Sequence, residues 1–257
     1  MADPTIDIYD LMACNVYMDF DDMTMQHEQH KFLVAFRPTG AASVHEYIES
    51  LTARGPGGYE TAITNQPFTN ENHDGHIYDR TTDAHWYMVN IDGGFLESGE
   101  YTVEARLRDG SSRSISRVQD NGPGMRLLDA YREHRDTLRN SWRPARGEKL
   151  DDSADLTSVE VTQADLKELS GVDAFHIFRM CQGSGRADWD TQNLYWWDNI
   201  FLQRLRDPQA GLNRNTVQVQ AALQPDTPYV YFTELTDSNR MGDTNMCIFQ
   251  PHQHFVS

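Results

Sequence analysis

The chain has 257 residues, and its 22 basic and 39 acidic side chains give a formal net charge of −17 at pH 7. A surface this acidic repels phosphate groups, which argues against nucleic acid and anionic membranes as partners. Hydrophobic residues make up 39% of the sequence, which excludes a disordered chain, and no stretch approaches the roughly 20 apolar residues of a membrane span.

Cysteine usage and the amino terminus bear on the compartment. Cys14, Cys181 and Cys247 are too few for a disulfide scaffold, and no CxxC spacing indicates structural zinc. Residues 1–4 lack the basic start and apolar run of a signal peptide, which on its own indicates the cytoplasm. Because a mature exported chain also often begins with small and polar residues, we expect an extracellular or periplasmic protein, with the cytoplasm as the alternative.

The first 120 residues alternate short β-branched and aromatic runs with turn residues, the pattern of strands in a β-sandwich. Apolar and polar residues alternate from Tyr101 to Arg108, and Asp109-Gly110 then supplies a tight turn into a returning strand. The predicted strands are 5–9, 31–37, 45–52, 59–64, 85–90, 100–108 and 112–118.

A single long amphipathic helix is predicted from Met125 to Trp142, because apolar residues recur there at steps of three, four and seven. The charged segment 147–154 is typical of a linker. The second half returns to strand spacing, with predicted strands at 156–161, 174–181, 195–205, 216–223, 229–235 and 245–249. We therefore predict a sandwich domain at 1–120, a helical connector and linker at 121–150, and a second sandwich at 151–257.

The segment from Leu223 to Tyr229 places Leu, Pro, Thr and Tyr at alternate positions before a strand. This pattern resembles the corner between the fifth and sixth strands of fibronectin type III domains, and residues 96–110 resemble the same corner of a related immunoglobulin-like domain. The resemblance implies that Tyr229 is a tyrosine corner, whose ring is buried and whose hydroxyl bonds to backbone a few residues upstream. It implies a mainly β fold with two immunoglobulin/fibronectin-III-like sandwiches joined by an amphipathic helix.

The same topology bears on the cysteines and on a tryptophan. It would put the Tyr229 strand between the strands of Cys181 and Cys247, and two strand spacings of about 9–10 Å exceed the roughly 7 Å limit between the Cα atoms of a disulfide. Both cysteines are therefore expected to be thiols. Fibronectin type III domains usually have a Trp near the second strand, and the chain has none there.

A histidine-rich segment is the first candidate for chemistry. His73, His76 and His85 could converge on one cation, with Asp74 or Asp79 as an oxygen ligand, although the spacing matches no known motif. The alternative is a solvated polar loop. The cofactor left open is thus a divalent metal ion, either calcium or a transition metal.

Other polar groups give weaker indications. His27 and His30 could form a second pair of metal ligands, but a plain polar segment is the favoured interpretation, and His252 and His254 are assigned to a frayed terminus. Two groups of acidic residues could hold calcium, although solvated loops are favoured for both. These groups are Asp19, Asp21 and Asp22, and Asp237 with Asp243.

Aromatic residues are dense between 189 and 201, where Trp189, Trp196 and Trp197 are candidate ligand-binding residues. If Trp196 and Trp197 lie on a strand, at least one ring faces outward, where it could stack on a sugar or anchor a protein. The alternative is that both rings are covered by the rest of the protein.

No nucleophile elbow, P-loop, dinucleotide-binding fingerprint or HExxH motif occurs, so the sequence favours a protein that is not an enzyme. The first hypothesis is a non-catalytic surface or extracellular protein for adhesion, assembly or ligand binding, with a protein or glycan partner at the cell surface. A metal-dependent enzyme or carrier and a carbohydrate-binding accessory module are the alternatives. A homo-oligomer is left open.

Overall fold

The computed structural model describes residues 5–21, 27–38, 43–69, 74–79, 84–151, 153–191, 193–198, 201 and 215–257. The fold is mainly β, as the sequence predicts. The strands are β1 (Ile6–Met18), β2 (Glu28–Pro38), β3 (Ile48–Arg54), β4 (Glu60–Ile63), β5 (Asp74–Asp79), β6 (Ala84–Asp92), β7 (Gly99–Leu107), β8 (Ser112–Gln119), β9 (Glu148–Lys149), β10 (Val159–Thr162), β11 (Phe175–Gln182), β12 (Trp196–Asp198), β13 (Thr216–Val219), β14 (Pro228–Thr236), β15 (Met246–Phe249) and β16 (Gln253–Val256). The α-helices are α1 (Val44–Tyr47), α2 (Asn121–Asn140) and α3 (Leu166–Ser170).

The chain forms two compact units, and each contains segments that are distant in sequence. The first comprises residues 1–16, 28–121 and 240–245, and the second comprises residues 17–27, 122–239 and 246–257. Helix α2 therefore belongs to the second unit, apart from its first residue. The division into domains at residues 120 and 150 stays a prediction. Within the described residues, no helix is both long and apolar enough to cross a bilayer.

The first unit is a β-sandwich with the strand order of an immunoglobulin domain. Strands β1, β2, β6 and β5 are neighbours in that order, and a second sheet has the order β4-β3-β7-β8. Lettered along the chain with β4 as C′, these orders are A-B-E-D and C′-C-F-G, which is the immunoglobulin arrangement. Side chains of both sheets, among them Phe32, Leu51 and Val103, form one core.

A tyrosine pins the start of β7 in this sandwich. The buried Tyr101 donates a hydrogen bond from its hydroxyl to the carbonyl oxygen of Glu97, four residues upstream, at 3.1 Å. This is the geometry of a tyrosine corner. Its ring lies so close to Gly55 that a Cβ atom there would be 2.2 Å from the ring Cε1. The contact requires glycine at position 55.

The second unit repeats this plan with fewer strands. Strands β12, β11, β14 and β15 are neighbours in that order, β16 also pairs with β14, and β10 pairs with β13. In the lettering used above these are C′-C-F-G and B-E, which is the fibronectin III type of sandwich. The short strand β9 runs parallel to β16. The core lies between the two sheets and includes Phe178, Tyr231 and Phe255.

Tyr229 is the second residue of β14 and has no solvent exposure. Its hydroxyl oxygen accepts a hydrogen bond from the backbone N–H of Gln224, five residues upstream, at 2.9 Å. Trp142, which follows α2, packs edge-on against Tyr231 with ring centroids 5.5 Å apart. It gives this core a large indole, although no Trp lies near β10 in the sequence.

The three cysteines are buried thiols, and none of them forms a disulfide. Strand β14 lies between β11, which carries Cys181, and β15, which carries Cys247. The expectation that these two cysteines are too far apart to be bonded is confirmed.

Two segments that the sequence assigns to a polar loop and a frayed end are strands. In β5, the N–H of His76 donates to Gln66 O at 2.8 Å, and its carbonyl accepts from Phe68 N–H. Gly75 allows this close approach, with φ at 124°. At the carboxyl end, β16 pairs with β14 and His252 is buried, so the prediction of a frayed terminus is wrong.

Two other boundaries differ from the prediction. Strand β1 continues beyond its predicted end at Tyr9, and Asp10 within it forms an ion pair with Arg117 at 2.9 Å. Helix α2 begins at Asn121, before its predicted start at residue 125. Pro123 is tolerated there because N–H groups in the first turn have no intrahelical acceptor. The predicted strand 195–205 is observed at 196–198, and most of its remainder lies outside the described residues.

We expect acid to destabilise the first unit through His30. Both ring nitrogens of this buried residue are hydrogen-bonded, Nδ1 to the carbonyl of Gly94 at 2.8 Å and Nε2 to the Tyr59 hydroxyl at 2.7 Å. Burial lowers the pKa of His30 more than the Gly94 hydrogen bond raises it. The unfolded chain therefore takes up this proton first, so stability is fully present above about pH 6.5 and falls as the pH is lowered below it.

The measurement is the unfolding free energy from denaturant titrations at pH 7.5 and 5.5. His76 and His254 also have lowered pKa values and contribute to the loss, so the informative comparison is with His30→Gln. The variant should lose less stability than the parent between the two pH values. An equal loss in both proteins would contradict the role of His30.

Candidate binding face

The outer face of the β12-β11-β14-β15 sheet carries aromatic side chains where solvent-facing polar residues would be usual. Phe178 and Met180 on β11 point into the core, so Arg179 between them points outward. Arg179 is directly opposite Trp197 on β12 and Phe232 on β14. Directly paired residues share a side of the sheet, so these three side chains lie on the outer face.

Five aromatic rings form a contiguous cluster on this face, which we call the aromatic patch. Its closest ring pairs have centroids 4.7 to 4.9 Å apart: Trp189 with Phe232, Phe20 with His252, and Phe232 with His252. Phe249 completes the patch, 5.8 Å from Phe232. Phe232 and His252 are buried, whereas Phe20, Trp189 and Phe249 are half-buried and keep part of their surface in solvent.

Two arginines border the patch. Arg186 lies over the ring of Phe20, with its guanidinium carbon 4.7 Å from the centroid, and Arg179 lies 5.7 Å from the Phe232 centroid. Arg179 also forms an ion pair with Glu234, whose side chain is only 2% exposed. A carboxylate so buried is costly without a partner, so Arg179 is held in place by it. Aromatic residues and arginine are enriched in the hot spots of protein interfaces.

The loop between β11 and β12 positions Trp189. Asp188 accepts hydrogen bonds from the backbone N–H and the hydroxyl of Ser184, which lower the pKa of this carboxyl group. The indole N–H of Trp189 donates to the Thr191 hydroxyl at 3.1 Å. These local bonds fix the loop and place the Trp189 ring over Phe232 and His252.

The three predicted tryptophans do not lie on one face of the sheet. Trp189 and Trp197 are both on the outer face, but Trp196 lies opposite Met180 and packs against the core of the second unit. Since Trp196 and Trp197 are adjacent on a strand, their side chains point to opposite faces. Their assignment as ligand-binding residues stays a prediction, now restricted to Trp189 and Trp197.

Four of the predicted metal ligands lie on strands of the first unit, namely Asp74, His76, Asp79 and His85. His76 is on β5, and its ring stacks on that of His45 in α1, with centroids 4.3 Å apart and planes 5° apart. His85 is on β6, where its ring lies 4.6 Å from that of Tyr78. Burial lowers the pKa of His76, and His45 and His85 lower it further.

The stacked rings of His76 and His45 do not direct their lone pairs at one point. A cation in the plane of the His76 ring lies outside the plane of the stacked His45 ring. Within the described ranges, no three histidine, cysteine, aspartate or glutamate side chains are placed to hold a metal ion. His73 and the side chain of Asp79 lie outside the described residues, and Asp74 is half-buried on β5. The metal site stays a prediction.

The acidic groups considered for calcium are engaged elsewhere. Asp19 and Asp21 form ion pairs with arginines of and beyond α2, and Asp237 accepts a hydrogen bond from the N–H of Met246. Asp243 lies 3.9 Å from Arg240, and Asp22 lies outside the described residues. His27 and His30 use ring nitrogens in hydrogen bonds to backbone carbonyls.

Sequence reasoning missed most of the patch. Phe232 and Phe249 appear as ordinary strand residues, and Phe20 is far from both in sequence. One signal was present in the alternation of β14, where Tyr229 and Tyr231 point inward and Phe232 must therefore point outward. An aromatic residue on the outer side of a central strand indicates a covered or binding face.

No protein-family model and no curated protein sequence matches the chain. Among solved structures, it is similar to the N-terminal Ig1-2 module of the Drosophila receptor protein tyrosine phosphatase DLAR, with 9% identity, coverage of 97% of this chain and 98% of that chain, and a TM-score of 0.38. It is similar to the fibronectin(III)-like modules of Clostridium thermocellum CbhA, with 8% identity, coverage of 96% and 94%, and a TM-score of 0.25.

A third similar structure is Dpr2 Ig1-Ig2 in complex with DIP-Theta Ig1-Ig3, with 10% identity, coverage of 99% of this chain and 98% of that chain, and a TM-score of 0.29. Because these identities and TM-scores are low, the assignment of two immunoglobulin/fibronectin-III-like sandwiches depends on the strand orders and tyrosines described above.

Proposed function

We propose that the chain is a non-catalytic binding protein of the cell surface or extracellular space, and that the aromatic patch with Arg179 and Arg186 is its binding face for a protein partner. The observation that supports this proposal most directly is that Phe20, Trp189 and Phe249 are half-buried and keep part of their surface in solvent on one sheet face, although the sheet has a core on its other side. Exposed aromatic area that packing does not require supports a role in binding.

The test compares the parent protein with Trp189→Ala. Each is immobilised and exposed to a surface-protein fraction of the producing cells, and the affinity of the retained and identified protein is then measured. Truncation of a hot-spot residue lowers the binding free energy by about 2 kcal/mol or more, so the Kd of the variant should be about 30-fold or more higher. Leu169→Ala, which truncates an exposed residue outside the patch, is the matched control and should leave Kd unchanged.

Two results would contradict the proposal: equal affinity of the parent and Trp189→Ala, or no retained surface protein. Far-UV circular dichroism and the unfolding midpoint establish that the variant is folded, and Arg186→Ala gives a second test at the edge of the patch.

Carbohydrate binding is the second candidate, because Trp189 and Trp197 share the outer face, where flat rings can stack on sugars. A glycan panel read by tryptophan fluorescence tests it. Quenching that persists in Trp196→Phe but is lost in Trp197→Ala would support it, whereas unchanged fluorescence with every glycan would exclude it.

A further inference from the structure

The segment Tyr17–Asp21, which we call the strap, lies in the second unit with its side chains alternating between two surroundings. Odd-numbered residues face α2. The guanidinium of Arg132 lies 4.8 Å from the centre of the Tyr17 ring, and Asp19 accepts hydrogen bonds from Arg135 at 2.6 and 2.9 Å.

The contacts continue to the end of the strap. Asp21 forms an ion pair with Arg139, and Arg146 lies 3.4 Å from the same carboxylate. Extended chain brings every second residue to one side, while residues three or four apart share a side of a helix. Strap residues 17, 19 and 21 therefore contact helix residues 132, 135 and 139, respectively.

Phe20, between Asp19 and Asp21, faces the other rings of the aromatic patch. The ring of Phe20 lies 4.8 Å from that of His252 and 5.9 Å from that of Phe232, and Arg186 covers it. The backbone of the strap is also bound, because the N–H of Asp19 donates to Phe249 O at 2.8 Å. The strap is thus recognised like a peptide ligand, by charge on one side, by an aromatic anchor on the other, and by a backbone hydrogen bond.

The strap lies between α2 and the rings of Phe232, Phe249 and His252, and we call this site the groove. The charges that line the groove fit acidic segments. Four arginines, at 132, 135, 139 and 146, contact the strap in a chain whose formal net charge is −17. The contacts at the end of the strap are also accessible, since the side chains of Asp21 and Arg146 are 36% and 55% exposed. Exposed ion pairs contribute little stability and exchange readily with a competitor.

We propose that the groove between α2 and the aromatic patch is a recognition site for extended protein segments in which acidic residues alternate with an aromatic residue, and that the strap occupies this site in the free protein. A partner segment of this chemistry displaces Phe20 and takes its contacts with Phe232, Phe249 and His252. The inference rests on the proposed function, because it assigns a partner chemistry to the same face.

The probe is a fluorescently labelled peptide of residues 15–21, and the receptor is the full chain carrying Phe20→Ala, which vacates the anchor position. A resident competitor lowers the fraction of sites that are open, so the variant should bind the peptide about tenfold or more tightly than the parent does. Binding should weaken as salt is raised, because the ion pairs are partly exposed.

Two control peptides test the chemistry, one with Phe20→Ala and one with Asp19→Asn and Asp21→Asn, and neither should bind. Asp21→Asn in the full chain is a second receptor should Phe20→Ala fail to fold. Absence of binding to either folded receptor at about 1 mM peptide, or equal binding of all three peptides, would overturn the inference.

The two proposals fail in different ways. If the peptide does not bind but Trp189→Ala still weakens partner binding, the strap inference is wrong and the binding face stands. If the peptide binds but partner affinity is indifferent to Trp189→Ala, the groove is real and the proposed function of the patch is wrong.

Discussion

Replacing Asp19 by Asn should lower the unfolding free energy by about 2–3 kcal/mol, near the lower limit for breaking a buried ion pair because Arg135 is partly exposed. The Asp19 side chain is 6% exposed and that of Arg135 is 34% exposed. Asp19 also accepts a hydrogen bond from the buried Tyr131 hydroxyl at 2.6 Å. Burial and the neighbouring carboxylate raise the pKa of Tyr131, so this hydroxyl stays protonated and remains a donor.

Asp136→Asn is the matched control, since it removes a carboxylate 3.9 Å from the same Arg135 but 91% exposed. It should change the unfolding free energy by less than about 0.5 kcal/mol. Both variants are measured by urea titration with the helical signal as readout. Equal effects of the two substitutions would contradict the claim that the burial of Asp19 increases the contribution of its ion pair to the unfolding free energy.

Replacing Gly55 by Ala should destabilise the first unit by about 1–3 kcal/mol or more, the usual cost of overpacking. The backbone of Gly55 is extended, with φ at −160°, so any residue could adopt it, and the cost is steric. The new methyl group would lie 2.2 and 2.3 Å from two ring carbons of Tyr101. That ring cannot move cheaply, because it is buried and its hydroxyl is bound to Glu97.

Gly185 provides the control for Gly55. It is also extended, with φ at 171°, and a Cβ atom there would meet nothing within 4 Å. Gly185→Ala should therefore be neutral or stabilise by up to about 1 kcal/mol, because alanine restricts the unfolded chain. Thermal unfolding of both variants measures the difference. If Gly55→Ala were as stable as Gly185→Ala, the close approach of Tyr101 would be wrong.

The core strands were predictable because their signals are local. The alternation from Tyr101 to Arg108 and the Asp109-Gly110 turn are complete within ten residues, and β7 and β8 follow them. Strand β5 was missed because it contains mostly polar residues and a glycine rather than a β-branched run. It pairs with β6, and Gln66 and Phe68 add hydrogen bonds on its other side, which glycine at position 75 admits.

The candidate site was predictable only in part, because its residues come from distant parts of the sequence. A dense run of tryptophans identified Trp189 and Trp197, but the patch is completed by Phe20 and His252, which are more than 200 residues apart in sequence. His252 was misread because a chain end suggests fraying, whereas β16 pairs with β14 and carries the terminus into the sheet. Long-range pairing of this kind has no short-range signature.

Cys14, Cys181 and Cys247 are buried thiols, so no disulfide among them holds either sandwich together. No disulfide shortens the unfolded chain, so the order of both sandwiches comes from packing, hydrogen bonds and ion pairs. A reductant therefore has no disulfide bond to cut among these three residues.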